Sequence, residues 1–396
     1  MIQGRTSSVA LRLLLLLSFV AAYAQPGVAV AKKLEDKKSA GMHAGKGWYF
    51  AVSGDSRDCG DLIVPKIAWS IENSRAQTPA EFYWHLGDLR ALYREDCDLL
   101  LRRDPAAQCP PEAGKGTEKY PFGVYLEEAW DDFIQNQITP FGRTPYILGI
   151  GNHELINRPR DYFELKFARW LTEQPIASQL RADAKLGIPS VPGGTFYHFV
   201  KKGVDFIYLD NASGDASFSE QQLVWLSKIL DADAKDRKIK TIIAGMHAAL
   251  PQSSERGHAM DYACHGFCSG WRAYEMLYRA QENGKHVYVL ASHSHFFREN
   301  IYDTPEHKGR VLPGWIIGTG GAEQYLTAPE RIMYGYMQIE VRPDGTIATE
   351  FKEVKRDTPP LATGPGADAL TSYCFEHNRT LPLDMHKTDC KCDATP

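Results

Sequence analysis

The strongest constraint on the fold is a set of five short β-rich runs, each of which ends in a polar cluster. The runs are WYFAVSG, EFYWHLG, PYILGIG, TIIAGMH and VYVLASH. Between them lie stretches with helical character, at 61–73, 124–135, 219–230 and 270–282. Strands that alternate with helices are typical of α/β proteins built around sheets. We therefore expect an α/β sandwich whose strand ends carry the chemistry.

Local signals refine this arrangement. The segment TFYHFVKKGVDFIYLDNA predicts a hairpin that turns at Lys202-Gly203, and MYGYMQIEVRPDGTIATEFKEV predicts a second that turns at 343–345. Ser219 followed by Gln222 is a capping-box pattern, which supports the helix that follows. The segment 90–120 shows no clear period and is predicted to be a surface insert.

The amino-terminal residues are typical of a secretory signal. Arg5 and Arg12 flank the start of an apolar run at 11–22, and Ala22-Tyr23-Ala24 is a small-x-small cleavage site. The run is too short to cross a bilayer core of roughly 30 Å as a helix. We expect residues 1–24 to be a cleaved signal peptide rather than an uncleaved anchor, the protein to be secreted or periplasmic, and no transmembrane segment.

The rest of the chain divides by composition. Residues 25–47 are small and charged and are predicted to be a linker, 48–355 to be the functional domain, and 356–396 to be a Cys-containing tail. The formal charge is -4, and removal of the two arginines in the signal changes it to about -6. This balance contains no signature of nucleic-acid or anionic-membrane binding. It leaves the oligomeric state open.

All eight cysteines lie after the signal, which predicts disulfides in an exported protein. Cys97 and Cys109 bracket the Pro-rich part of the insert and are expected to pair, and Cys374 is expected to fasten the tail. Cys264 and Cys268 could form half of a zinc knuckle, but no second half follows. We therefore expect a local disulfide between these two cysteines.

Potential metal ligands follow each of the five strand-like runs. They are Asp55, Asp88, Asn152 with His153 and Glu154, His247, and His293 with His295. In open α/β sheets, the loops at the carboxyl ends of strands converge on one crevice. Carboxylate, amide oxygen and imidazole suit divalent or trivalent Zn, Fe and Mn. The clusters together predict one metal site.

A different function is suggested by the first cluster alone. Gly54-Asp55-Ser56 resembles the opening block of the GDSL lipase/esterase family, in which Ser56 would be the nucleophile. That chemistry needs a histidine base, usually supplied by an Asp-x-x-His block, and the sequence has no such block. It would also leave His247, His293 and His295 without a role.

Taken in order, the five clusters resemble those of the calcineurin-like metallophosphoesterase superfamily, which includes the purple acid phosphatases. The likeness extends over residues 48–354. It implies a four-layer α/β/β/α sandwich of two mixed sheets flanked by helices. It also implies two metal ions, Fe, Zn or Mn, with Asp88 as the bridge. Asn152, His247 and His293 would complete one ion, and Asp55 and His295 would contribute to the other.

The resemblance also implies an activity. It predicts hydrolysis of a small phosphomonoester or phosphodiester by in-line attack of a metal-bound hydroxide, because two ions about 3.5–4 Å apart can activate water and hold both reacting oxygens. His153 would protonate the leaving oxygen or neutralise the phosphoryl charge, with Glu154 orienting it. The alternative is a non-catalytic protein on the same fold that binds a metal or another ligand.

The sequence departs from the family pattern at three positions, and the first two of these concern the Asp55 side. Arg57 stands where the family commonly has a histidine, Ala91 where it has Asp or Tyr, and Ser292 where it has Gly. We therefore expect the ion on that side to be weakly held. Arg57 could bind phosphate oxygens, since a guanidinium matches two of them, or form a salt bridge with Asp58 or Asp61. Tyr262 is a further candidate for contact with substrate.

Overall fold

The computed structural model describes residues 47–74, 79–189, 193–255, 258–325, 331–377 and 390–392. The predicted signal peptide and nearly all of the predicted linker lie outside these ranges, as does most of the tail after residue 377. No helix in the described ranges combines the length and the apolar character that a membrane crossing requires.

The strands account for most of the predicted β-rich runs. In the described residues they are β1 Trp48–Ser53, β2 Tyr83–His85, β3 Tyr146–Leu148, β4 Tyr197–Lys201, β5 Val204–Leu209, β6 Thr241–Met246, β7 His286–Ala291, β8 Phe297–Glu299, β9 Gly314–Ile317, β10 Tyr334–Val341 and β11 Ile347–Val354. Both predicted hairpins are confirmed, as β4–β5 and β10–β11.

These strands form two mixed sheets. The first has the order β11-β10-β1-β2-β3, with β1, β2 and β3 parallel and the β10–β11 hairpin antiparallel to β1. The second has the order β4-β5-β6-β7-β9-β8, with a parallel centre and antiparallel edge strands. In each sheet the parallel strands send their carboxyl ends to one edge, which is where loops carrying ligands collect.

The sheets pack face to face through aromatic rings. Phe50 of β1 meets Phe206 of β5 edge-to-face, with ring centroids 5.0 Å apart, and Trp84 of β2 lies 6.2 Å from Tyr208. The approach is close, because a Cβ on Gly245 would stand 2.6 Å from the Trp84 ring. Close aromatic packing of this kind fixes how the two sheets sit on each other.

Helices cover the outer faces of both sheets. In the described residues they are α1 Gly60–Glu72, α2 Cys97–Arg103, α3 Phe122–Phe133, α4 Arg160–Lys166, α5 Ala168–Thr172, α6 Ile176–Leu186, α7 Glu220–Lys235, α8 Cys264–Glu282 and α9 Ala367–Glu376. Helix α1 packs on β10 and β11, and α7 and α8 share an apolar cluster with the second sheet. The layers are therefore α/β/β/α, as expected.

Helix α8 differs from the predicted helix, because it begins at Cys264 rather than at Gly270. Two glycines in this stretch lower its intrinsic helix propensity, but both are buried against other parts of the protein. The capping box before α7 is only half formed. Ser219 Oγ accepts from the Gln222 N–H, while the Gln222 side chain bonds instead to the backbone of Asp210.

The disulfides confirm two expectations and correct a third. Cys97 pairs with Cys109, and Cys374 fastens the tail by pairing with Cys59. The expected local bond between Cys264 and Cys268 is wrong, since these residues pair with Cys390 and Cys392. One turn apart on α8, the two thiols lie on one face of the helix, so both can reach the tail.

The segment 90–120 lies on the surface only in its second half. Its first residues are buried, and α2 begins within it. Arg90 is fully buried and pairs with Asp61 at 2.6 Å and with Asp98 at 3.0 Å. A periodicity argument misses such a stretch, because charged residues that neutralise one another inside the protein look like surface residues in the sequence.

Candidate metal centre

Three of the predicted ligands lie just after the ends of their strands and have a left-handed backbone conformation. Asp55 follows β1 with φ 58°, Asp88 follows β2 with φ 58°, and His293 follows β7 with φ 64°. Non-glycine residues adopt this region rarely, and they cluster at functional sites. The loops are tied together, because the N–H groups of Asp55 and Ser56 bond to the carbonyls of Gly87 and Asp88. The strained turns thus aim side chains from both sheets at one place.

Close approach of the backbone brings the β3 loop to the same place. A Cβ on Gly151 would collide with the Asp88 carboxylate and would stand 2.8 Å from the His247 ring. Glycine is therefore required at this position for Asn152 to reach the centre.

Asp88, Asn152, His247 and His293 form what we call the first ligand group. The Nε2 atom of His247 lies 3.2 Å from Asp88 Oδ1, 3.1 Å from Asn152 Oδ1 and 3.0 Å from His293 Nδ1. Ligand atoms around a tetrahedral ion with bonds of about 2.1 Å are roughly 3.4 Å apart. The four atoms thus have the spacing of one coordination shell.

Asp55, Asp88 and His295 form the second ligand group. Asp55 Oδ1 lies 3.4 Å from His295 Nε2, and the buried oxygens Asp55 Oδ1 and Asp88 Oδ2 have no hydrogen-bond partner among the described residues. Buried carboxylate oxygens without partners are costly, so these atoms fit a cation. Both groups include Asp88, which the sequence predicts to be the bridging ligand.

In each ligand group, one histidine is oriented by a backbone carbonyl that its Nδ1 contacts. His247 Nδ1 lies 3.1 Å from the Leu86 carbonyl, and His295 Nδ1 lies 2.6 Å from the Glu323 carbonyl. A carbonyl only accepts, so each Nδ1 carries a proton, and Nε2 presents its lone pair to the centre when the ring is neutral. Burial opposes charge on His247, but the neighbouring Asp88 raises the pKa of His247 to about 9.

His153 faces the same centre, but Glu154 does not orient it. His153 Nδ1 lies 2.6 Å from the Ala91 carbonyl, while Nε2 lies 3.6 Å from Asp88 Oδ2. Burial, followed by the charge of Arg57, lowers the pKa of His153 to about 4. Ala91, which replaces a ligand in the family pattern, therefore holds His153 through its backbone.

The Glu154 carboxylate binds backbone rather than the His153 ring. It accepts N–H groups from Asp88 at 2.9 Å, Leu89 at 2.8 Å and Gly151 at 2.7 Å. These three groups belong to the loops after β2 and β3. Glu154 thus fixes the position of Asp88 relative to Asn152, which corrects the role expected from the sequence.

Arg57 is buried within the centre, with 6% of its surface exposed. Its Nη2 lies 3.2 Å from His295 Nε2 and 3.3 Å from the Tyr325 hydroxyl, and its Nη1 lies 3.4 Å from the Tyr93 hydroxyl. The alternative of a salt bridge with Asp58 or Asp61 is wrong, because those carboxylates pair with other arginines. The partners are Arg94 for Asp58, and Arg90 with Arg102 for Asp61.

Neither Tyr93 nor Asp96 replaces the ligand missing at Ala91. Asp96 is buried and accepts from the N–H groups of Asp58 and Ala91 and from the Tyr125 hydroxyl. The Tyr93 hydroxyl accepts from Arg57 at 3.4 Å and from Arg94 at 2.9 Å. Both side chains support the loop around the centre instead of completing the second ligand group.

Two other candidates lie apart from these contacts. Tyr262 is 37% exposed, and its hydroxyl donates to the Gly214 carbonyl. Ser56 is fully buried, and its hydroxyl points to the Leu89 carbonyl at 3.5 Å. A serine nucleophile needs an accessible hydroxyl and a base within reach, so the surroundings of Ser56 do not fit an esterase.

Sequence reasoning missed Tyr325, whose ring stacks on His295 with centroids 4.2 Å apart. Tyr325 lies in the loop after β9, and Ala322 of that loop donates to the Asp55 carbonyl. A signal was present, because GWIIGTGG is a sixth apolar run that ends in glycines. His258 is also close, with its ring 5.1 Å from that of His293.

Fold and site together define a class of α/β proteins in which two mixed sheets carry Asp, Asn and His ligands at one edge. Within that class, residues 67–297 match the calcineurin-like phosphoesterase family, and because they make up more than half of the chain, the protein belongs to this family. No curated protein matches the sequence.

Two solved structures show how similar this chain is to proteins of known structure. A purple acid phosphatase from yellow lupin (Lupinus luteus) seeds aligns with 78% of this chain at 16% identity and a TM-score of 0.47. The chain spans 52% of that protein's length. A hypothetical protein from Pyrococcus horikoshii aligns with 84% of this chain and 99% of its own, at 10% identity and a TM-score of 0.33.

Proposed function

We propose that this protein is a metal-dependent hydrolase of small phosphorylated molecules, acting on a phosphomonoester or a phosphodiester. The observation that carries the proposal is the pair of ligand groups that share Asp88, in a member of a phosphoesterase family. Ions of the Fe, Zn or Mn type held there would supply Lewis-acid charge and an activated water.

The chain itself would position the substrate and move protons. His153 presents Nε2 to the centre while Ala91 holds its other nitrogen, and this geometry supports its role as proton donor to the leaving oxygen. A phosphoryl group beside Nε2 adds negative charge, which favours the protonated imidazole. Glu154 acts as a positioning residue through the loops that carry Asp88 and Asn152.

Arg57 would bind the phosphoryl group. It is the guanidinium inside the centre, and its Nε atom has no hydrogen-bond partner among the described residues. Charge-assisted hydrogen bonds from a guanidinium to phosphate oxygens are strong and directional. Tyr262, which is partly exposed at a distance from these contacts, stays a prediction as a substrate contact.

The test is removal and return of metal. The protein is dialysed against a chelator, and hydrolysis of p-nitrophenyl phosphate and bis(p-nitrophenyl) phosphate is followed before and after addition of Zn²⁺, Mn²⁺ or Fe²⁺. We expect activity to fall at least about 100-fold and to return with metal. The variant H293Q should show the same loss without rescue, because it lacks a ligand of the first group.

The matched control is D344N, in the turn of the β10–β11 hairpin, which should keep full activity. Hydrolysis of p-nitrophenyl acetate that survives chelation and is lost in S56A would favour the esterase instead. Tight zinc binding without hydrolysis of either phosphoester would favour the non-catalytic alternative. Either result would overturn the proposal.

We also propose that the protein acts outside the cytoplasm, with residues 1–24 removed and 48–355 forming the catalytic domain. The support is the set of four disulfides among the described cysteines, since such bonds persist in oxidising compartments. Amino-terminal sequencing of the exported protein tests the cleavage site after Ala24.

A further inference from the structure

The position of Arg57 bears on how many ions the centre holds. Its guanidinium lies against the second ligand group and is fixed there by the hydroxyls of Tyr93 and Tyr325. The Tyr325 ring in turn stacks on His295. The arginine is thus packed into the centre and does not extend toward solvent.

The lone pair that a second ion would need on His295 is already used. His295 Nδ1 donates to the Glu323 carbonyl, so Nε2 is the acceptor nitrogen of the neutral imidazole. A guanidinium only donates, and Arg57 Nη2 stands 3.2 Å from that Nε2. Nε2 therefore accepts its hydrogen bond from Arg57.

An ion and this guanidinium cannot occupy the place together. A zinc-type ion would stand about 2.1 Å from Nε2 along the lone pair, whereas Nη2 is found 3.2 Å from the same atom. Because the hydrogen bond from Nη2 uses that same lone pair, an ion and Nη2 that both lie along it would be only about 1 Å apart. Two cations at that separation are excluded by overlap as well as by charge.

Charge in the centre leads to the same conclusion. Two buried carboxylates, Asp55 and Asp88, reach the ligand groups. One divalent ion already matches their charge, and Arg57 adds a third positive charge that a phosphoryl group can neutralise. A second divalent ion would place two more positive charges beside a buried guanidinium, which is costly at low dielectric.

We infer that the guanidinium of Arg57 takes the place of the second metal ion, so that each chain holds one resident ion, at the first ligand group. This inference rests on the proposed function and changes the number of ions expected from the family pattern. It also explains why the sequence lacks both a histidine at position 57 and an Asp or Tyr at position 91.

The experiment counts zinc. Metal-free protein is reconstituted with Zn²⁺, passed through a desalting column and analysed by plasma mass spectrometry. We expect about one zinc per chain in the wild type and about two in R57H, which supplies the histidine ligand of the family pattern. R94K is the matched control, because Arg94 contacts Tyr93 and Asp58 but not His295, and it should hold about one.

Two ligand variants locate the resident ion. H295Q should still hold about one zinc, whereas H293Q should hold almost none. Of these two histidines, only His293 belongs to the first ligand group. Two zinc ions in the wild type, or loss of the bound zinc in H295Q, would overturn the inference while leaving the proposed function intact. No zinc in the wild type would overturn both. The wild-type count decides even if R57H does not fold.

Discussion

At the scale of single residues, the centre depends on backbone conformations that side chains usually avoid. Asp55, Asp88 and His293 each have a positive φ. Such positions cost of the order of 1–3 kcal/mol each and persist where the surrounding structure holds them. Here the Glu154 carboxylate and the bonds between strand-end loops do so. The strain turns ligands from different strands toward one point.

Replacement of Arg57 tests the proposal that its guanidinium binds the substrate. R57A removes charge-assisted hydrogen bonds worth about 1.5–3 kcal/mol each, so kcat/KM for p-nitrophenyl phosphate should fall about 10- to 100-fold. R57K keeps the charge but not the planar fork and should recover part of the loss. The measurement is steady-state kinetics on protein whose melting temperature has been checked.

A result in which R57A keeps both KM and kcat would exclude Arg57 from substrate binding. A loss that R57K does not relieve at all, with folding intact, would point to a need for the fork rather than the charge. The control is R103A, since Arg103 pairs with Glu128 on the surface and should leave both constants unchanged.

The convergence of the candidate ligands could be predicted from the sequence, whereas the residues that support them could not. A residue such as Asp88 directly follows an apolar strand, and strand ends in α/β proteins converge. The contact of Glu154 with three backbone N–H groups depends on how two loops meet in space. Likewise, Tyr325 is far from His295 in the chain and joins it only through the order of β7 and β9.

At the scale of elements, a buried charge cluster joins α6 to the β4–β5 hairpin. His198 Nδ1 lies 2.9 Å from the Asp205 carboxylate, and its Nε2 lies 3.0 Å from Asp183. Burial opposes charge on the imidazole, but Asp205, supported by Asp183, raises the pKa of His198 to about 10. The hairpin edge of the second sheet is therefore held by a charged histidine.

This cluster predicts a pH dependence of stability. The unfolded chain releases the histidine proton near pH 6.5, and the folded protein keeps it to about pH 10. The contribution of His198 is thus complete below pH 6.5, and this group lowers the free energy of unfolding as pH rises from 6.5 to 10, by at most about 1.4 kcal/mol per pH unit. Urea unfolding at several pH values within this window measures it.

In the variant H198Q, the free energy of unfolding should fall less steeply as pH rises from 6.5 to 10. Asp233, whose pKa is raised to about 9 by burial and by Asp205, acts in the same direction and keeps part of the slope in the variant. Identical slopes for H198Q and the wild type would show that His198 carries no extra proton in the folded protein. The exposed His265, on α8, offers H265Q as the control.

Helix boundaries and disulfide partners show which features a sequence pattern predicts and which it does not. The apolar period predicted α1 to within a residue, and the Ser219 cap marked the start of α7. The start of α8 was missed because its glycines are buried by contacts made elsewhere in the fold. The partners of Cys264 and Cys268 were missed for a similar reason, since their distance from the tail is set by the whole structure.

At the scale of the whole molecule, the disulfide between Cys59 and Cys374 spans 315 residues. Cys59 directly precedes α1, and Cys374 lies on α9. A crosslink over a long loop restricts the unfolded chain most, and the chain-entropy model gives about 6 kcal/mol for this one. The bond between Cys97 and Cys109 spans 12 residues, for which the same model gives about 3 kcal/mol.

Removal of each disulfide in turn tests which of the two stabilises the folded protein more. C59A/C374A should lower the free energy of unfolding more than C97A/C109A does, and the larger drop should appear as the lower melting temperature in scanning calorimetry. The reverse order would show that local packing around α2, rather than restriction of the unfolded chain, governs the stabilisation.

The pairing of β1 with β10 has a consequence for how this protein is made. A ribosome delivers β1 long before residue 341, so one edge of β1 stays unpaired throughout most of synthesis. Cys59 likewise cannot form its disulfide until Cys374 has been synthesised. Open strand edges invite aggregation. The growing chain therefore needs protection during translation, because the sheet that carries Asp55 and Asp88 closes only after β10 has been synthesised.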